Sequence, residues 1–160
     1  MIVELPTTAV LIGTVANERP LARIPLASMR VQLGFPSPAE DFLDDELDLN
    51  ELCVKNPAAT YLFRAQGHSM VLAGVCDGDI LVVDRSVTPQ NGDLVLASWG
   101  NEGSVCKVLG GLPHRIELWS ANPDFAPLRP PTDEQVELFA VVSVVRVIKR
   151  QGGASRVRPR

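Results

Sequence analysis

The chain has 160 residues, enough for one domain with a core of its own and too few for two comfortable ones. Its 46% hydrophobic and 21% charged residues are ordinary for a globular protein, and a formal net charge of −4 argues against a surface that grips nucleic acid by charge alone. Three cysteines, Cys53, Cys76 and Cys106, have no CxxC spacing; they fit a reducing cytoplasm and form no recognisable zinc site, so neither a metal nor a cofactor is expected.

Residues 1–33 have weak periodicity, interrupted by Pro6, Gly13, Pro20 and Pro25. They read as an extended, flexible arm with two strand-like pieces, Val10-Leu11-Ile12 and Ala22-Arg23-Ile24. With no basic n-region and only a short apolar run, the arm predicts neither a secretory signal nor a membrane span. It also lacks the two amphipathic helices of a helix-turn-helix, so no direct sequence-specific DNA binding is expected. After Pro36-Ser37-Pro38, acids in a first turn and the spacing of Phe42, Leu43 and Glu46 predict a short helix over 39–46. Asn50, Glu51 and Leu52 suggest another helical turn.

Downstream the pattern changes to short apolar runs between turn signals, predicting strands over 61–66, 80–84, 93–98, 104–109, 115–120 and 136–148. Asp77-Gly78-Asp79 and Asn91-Gly92-Asp93 each turn the chain into an apolar run and read as scaffold. The expected fold is mainly β: a compact, curved, barrel-like sheet with short helices, one of them after Ser69. The run 136–148 is too apolar to face water throughout, so it is a buried central strand or a surface shared with a second copy. Residues 151–160, rich in arginine with Gly152 and Gly153, read as a basic disordered tail.

Two places in this pattern carry chemistry. Gly67-His68-Ser69-Met70 offers a hydroxyl after a glycine turn, and Lys107 stands alone among small and apolar neighbours in Ser104-Val105-Cys106-Lys107-Val108-Leu109. A serine needs a base to take its proton, and a lysine serves as that base only when burial disfavours its ammonium form. Residue chemistry alone leaves two readings: a Ser/Lys dyad, or a turn serine with a solvated edge lysine that discourages strand aggregation. The backbone amides of His68 and Ser69 are the candidates for binding an oxyanion. His68 and His114 read as surface imidazoles, and Cys106 as a small core residue.

Taken together, Leu33-Gly34-Phe35-Pro36-Ser37-Pro38-Ala39, Asp48-Leu49-Asn50, Pro57-Ala58-Ala59-Thr60-Tyr61, Gly67-His68-Ser69-Met70 and Asp77-Gly78-Asp79-Ile80-Leu81-Val82-Val83-Asp84 closely resemble the UmuD branch of the LexA/UmuD family of self-cleaving serine peptidases, peptidase family S24. The resemblance runs from about residue 31 to about residue 149. It implies the LexA-type peptidase fold, with Ser69 as nucleophile and Lys107 as general base. It aligns Leu33-Gly34 with the family's cleavage bond, so that 1–33 is the arm removed on self-cleavage and 34–150 the peptidase and dimerisation domain. Departures stand at four places. Leu33 replaces the usual small residue or cysteine, His68 and Val108 replace an aspartate and a basic residue of UmuD, and the arm is several residues longer.

The function so implied is in the SOS response to DNA damage, as a cytoplasmic protein of DNA repair and mutagenesis. A RecA filament on single-stranded DNA would promote self-cleavage, and the processed homodimer would serve a UmuC-like Y-family DNA polymerase as an accessory subunit in translesion synthesis. The alternative is a non-cleaving β-scaffold subunit of the same polymerase system. A signal-peptidase-like enzyme is disfavoured by the lack of a membrane anchor, and a LexA-type repressor by the lack of a DNA-binding domain.

Overall fold

The computed structural model describes residues 8–14, 23–27, 43–100 and 103–148. The strands are β1 (Thr8–Thr14), β2 (Arg23–Ala27), β3 (Leu43–Asp48), β4 (Thr60–Ala65), β5 (Ile80–Asp84), β6 (Leu94–Trp99), β7 (Ser104–Gly110), β8 (Glu117–Trp119) and β9 (Val136–Val145). One helix, α1 (Leu49–Cys53), and two 3-10 turns, Pro57–Ala59 and Val71–Ala73, interrupt them. Antiparallel pairing runs in the order β1-β4-β5-β9-β6-β7, and β7 pairs back onto β1, which closes a barrel of six strands. Closure is made by two residue pairs, Thr8 with Val105 and Ala9 with Ser104, which join the two end strands of the sheet. β2 and β3 form a separate antiparallel pair.

Apolar residues on alternate positions of the six strands fill the barrel. Ala9, Ala65, Leu81, Val83, Leu96 and Cys106 are buried there with Met70 and Val75, and Phe63, Phe139 and Val141 pack against them. β6 and β7 are apolar on their other face too, where Val95, Ala97, Val105, Leu109 and Leu118 form a second cluster. A two-faced apolar strand must be covered on both sides. β8 supplies part of the outer cover by pairing with 108–110, while β1 pairs with Ser104 and Val105 on the same edge of β7. Lys107 therefore lies where that edge changes partner.

The predicted helix over 39–46 is corrected: residues 43–46 belong to β3, and 39–42 lie outside the described residues. The cause is nonlocal, since Leu47 pairs with Ile24 and Glu46 with Pro25. A short acidic run with helical spacing yields to a partner strand far upstream in sequence. The helix begins later, where Asp48 caps it by accepting a hydrogen bond from the Asn50 N–H at 2.7 Å.

The other predicted strands are β4 to β9 within a few residues at each end. β8 is shorter than 115–120 because Arg115 is spent in a turn, its N–H donating to the Gly111 carbonyl at 3.0 Å. Of the run 136–148, β9 takes 136–145: its first half pairs with β6 and its second half with β5, the two overlapping at Ala140, and Val142, Val144, Val145, Val147 and Ile148 are exposed. The piece Val10-Leu11-Ile12 lies in β1, and Arg23-Ile24 in β2.

Leu81 is fully buried at the centre of β5. Leu81→Ala should cost about 2–5 kcal/mol by removing buried methyl groups and leaving a cavity. Urea unfolding would measure this, and a loss below about 1 kcal/mol would show that the barrel interior collapses around the smaller side chain.

Candidate functional site

The serine is delivered by the connection between β4 and β5. Its base is pinched shut: the Ala65 N–H donates to the Asp79 carbonyl at 2.8 Å, and the Gly78 N–H to the Ala65 carbonyl at 2.9 Å. Gly67 has φ of 90°, a conformation that costs glycine little, and its N–H donates to Asp77 Oδ1 at 2.8 Å. Met70 then drops into the barrel core, 1% exposed, and the 3-10 turn Val71–Ala73 follows. Between these anchors Ser69 is fully buried.

A second anchor ties the far side of the connection to the end of β9. Arg146 donates from Nε to Asp79 Oδ1 at 2.7 Å, from Nη2 to Asp79 Oδ2 at 2.6 Å, and again from Nη2 to the Gly74 carbonyl at 2.8 Å. The Cys76 N–H also donates to the Asp79 carboxylate. The guanidinium holds the Asp79 carboxyl below the usual carboxylate range, although burial opposes it.

Lys107 arrives from β7. Its register partner is the buried Val95, so it shares the outer face of the barrel wall with Val105 and Leu109 and stays out of the interior. The side chain is 1% exposed, and Nζ donates to Ser69 Oγ at 2.6 Å. The Phe125 ring stands 5.9 Å from Nζ. The segment carrying Phe125 is moored to the serine loop: the Leu72 N–H donates to the Ala121 carbonyl at 2.9 Å, and Asn122 Nδ2 to the His68 carbonyl at 3.1 Å.

Burial pushes the Lys107 ammonium down from 10.5 to about 8, against a small opposing influence of the Cys106 thiol. Near neutral pH an appreciable fraction of the amine is therefore unprotonated and able to accept a proton. The same burial pushes Cys106 up to about 11, so it remains a thiol and packs as a core residue. His68 and His114 are both exposed.

The structure thus brings Ser69 and Lys107 together and leaves both histidines at the surface. The peptide units of His68 and Ser69 sit at the mouth of the 3-10 turn, whereas Leu33 and Gly34 lie outside the described residues. Sequence reasoning missed Phe125, Asn122 and Arg146. Only the last had a signal, a single cation inside the apolar run 136–148. Among the described residues no three His, Cys, Asp or Glu side chains converge to hold a metal ion, and no helix is long and apolar enough to cross a membrane.

Folding lowers the lysine pKa, so the unfolded chain holds that proton more tightly, and stability falls as pH drops from 10.5 toward about 8. Below that window the cost is constant. Lys107→Met keeps the bulk and removes the charge, and should stabilise the protein at neutral pH by about 3 kcal/mol, with the gain fading toward pH 10.5. Urea titrations at both ends of the window would test it. An equal gain at both ends would mean that the lysine pays no desolvation penalty.

Residues 25–143 match the model of the family described as Peptidase S24-like. The chain is 46% identical to Protein ImpA of Salmonella typhimurium over 121 residues, which is 76% of this chain and 81% of that protein. It is 43% identical to Protein MucA of Escherichia coli over 121 residues, 75% of this chain and 82% of the relative. A LexA repressor of Acidithiobacillus ferrooxidans is 38% identical over 126 residues, 78% of this chain but 60% of the repressor. With the family model covering most of the barrel and its serine loop, the chain belongs to the peptidase S24-like family, and among its members it is UmuD-like.

Proposed function

We propose that this protein is a Ser/Lys autopeptidase of SOS mutagenesis that cuts its own Leu33-Gly34 bond. The observation that carries the reading is the 2.6 Å hydrogen bond between Lys107 Nζ and Ser69 Oγ, both buried, in an S24-like chain. A neutral Lys107 amine takes the Ser69 proton as Oγ attacks the Leu33 carbonyl carbon. The amide N–H groups of His68 and Ser69 hold the oxyanion. Lys107 then gives its proton to the Gly34 nitrogen as the C–N bond breaks, leaving an ester between Leu33 and Ser69. Water hydrolyses that ester with Lys107 again as base. Glycine after the bond lets the backbone come close to a confined nucleophile.

In this reading a RecA filament on single-stranded DNA acts by selecting the state in which Leu33-Gly34 is docked, which raises the rate without new chemistry. The cut chain, 34–150 with the basic tail 151–160, serves as a homodimer beside a UmuC-like Y-family polymerase in the cytoplasm. Exposed Val142, Val144, Val145, Val147 and Ile148 supply an apolar surface suited to two-fold pairing. A second reading, the non-cleaving scaffold subunit, draws on β1, because an uncut chain is a closed barrel.

Intact mass before and after exposure to activated RecA filaments, and on standing at alkaline pH, tests the proposal. A fragment beginning at Gly34 is expected, at a spontaneous rate that rises with pH through about 8 and then levels. Ser69→Ala and Lys107→Arg should not cut, the latter because guanidinium stays protonated. An unchanged mass in the wild type would leave the scaffold reading standing.

Val144, 37% exposed on β9, tests assembly. Val144→Asp should sediment as a monomer with its thermal midpoint little changed, whereas a wild type that is monomeric at micromolar concentration would overturn the dimer.

A further inference from the structure

The peptide that cleavage would sever contains two paired strands. β1 pairs with β4 from Ala9↔Ala65 to Thr14↔Tyr61, and with β7 at Thr8↔Val105 and Ala9↔Ser104. β2 pairs with β3 along its whole length. Hydrolysis between Leu33 and Gly34 breaks one bond in the chain between β2 and β3 and none of these pairings.

The seam that β1 fills is built to hold a strand. On one side β4 offers its edge, on the other the first residues of β7. Without β1 both edges would lose their backbone partners, which is costly wherever water is excluded. Ala9 is 7% exposed and packs in the barrel core, so its departure would also open that core. Leu11 lines a cavity of about 210 Å³ at the barrel mouth with Phe63, Leu96 and Phe139. Arg85 stands over the Tyr61 and Phe139 rings at 5.0 Å and 4.4 Å from their centroids.

We propose that the seam between β4 and β7 is a strand-binding site whose occupant is Thr8–Thr14, and that residues 1–33 stay bound there after the chain is cut. This rests on the Leu33-Gly34 reading above. Two docked strands on one short peptide reinforce each other, since either one keeps the other at high effective concentration. The product of hydrolysis is then a nicked protein, with a carboxylate at Leu33 and an amine at Gly34 and one water added. Freeing the peptide requires a partner that brings an extended strand of its own, with a small residue in place of Ala9 and an apolar one in place of Leu11.

Mass spectrometry of the cut full-length chain tests this directly. Denaturing spectra should show two fragments, and native spectra a particle with the mass of the uncut chain plus one water per protomer. Excess synthetic peptide of residues 8–14 should speed release of the severed piece at least tenfold over an equal amount of its Ala9→Asp version. Separation of the fragments on cutting, or equal release by the two peptides, would overturn the proposal. A second protein, with the site of a sequence-specific endopeptidase inserted between Leu33 and Gly34, keeps the two readings apart. If it retains its severed peptide while the wild type never cuts itself, the strand-binding seam stands and self-cleavage falls.

Discussion

A lysine can act as a base near neutral pH only where water is kept from its ammonium form, and the architecture around Lys107 follows from that constraint. The amine is dry because β7 is buried on both faces: Cys106 points into the barrel, while Val105, Lys107 and Leu109 face a second apolar cluster. The Phe125 ring lies 5.9 Å from the nitrogen, which hydrogen-bonds to Ser69 Oγ. Burying a cation costs free energy, so the site is unstable by design in the sense that a neutral side chain would fit it better.

What keeps such a site from relaxing is the pinning of the loop that carries Ser69. Asp77 fixes its entrance through the Gly67 N–H, Met70 plugs into the core, and Asp79 with Arg146 ties its exit to β9. Arg146 is substantially exposed, so its contribution to stability is discounted by solvent screening. Its value is geometric. One guanidinium clamps a carboxylate and the Gly74 carbonyl at once, and so sets the path of the chain leaving the 3-10 turn.

Barrel closure links this site to the N-terminal part of the chain. β1 meets β7 at Ser104 and Val105, only two residues from Lys107, so the strand that carries this lysine also holds Thr8 and Ala9. The expected flexible arm contains two strands with partners; its sequence marked both as strand-like pieces, interrupted by Gly13 in β1 and Pro25 in β2, but not the strands they pair with. Their pairing is specified by the edges that receive them.

The sequence by itself determined the local grammar of this protein. Short apolar runs between turn signals marked β4 to β9, with Asp-Gly and Asn-Gly ahead of β5 and β6, because a strand's pattern and a turn's positive φ are written in neighbouring residues. Ser69 and Lys107 were legible as candidates for the same reason, one after a glycine turn, the other alone in an apolar run, and the family resemblance implied the roles proposed for them. Only the tertiary structure decided that they meet, since a 2.6 Å contact across 38 residues depends on the register of β6 with β7 and on the pinned loop. It also decided that residues 43–46 are strand, that Phe125 lies near the amine, and that 8–14 closes the barrel. Each of these depends on a partner distant in sequence, and a local pattern cannot encode the edge or face that a distant segment will present.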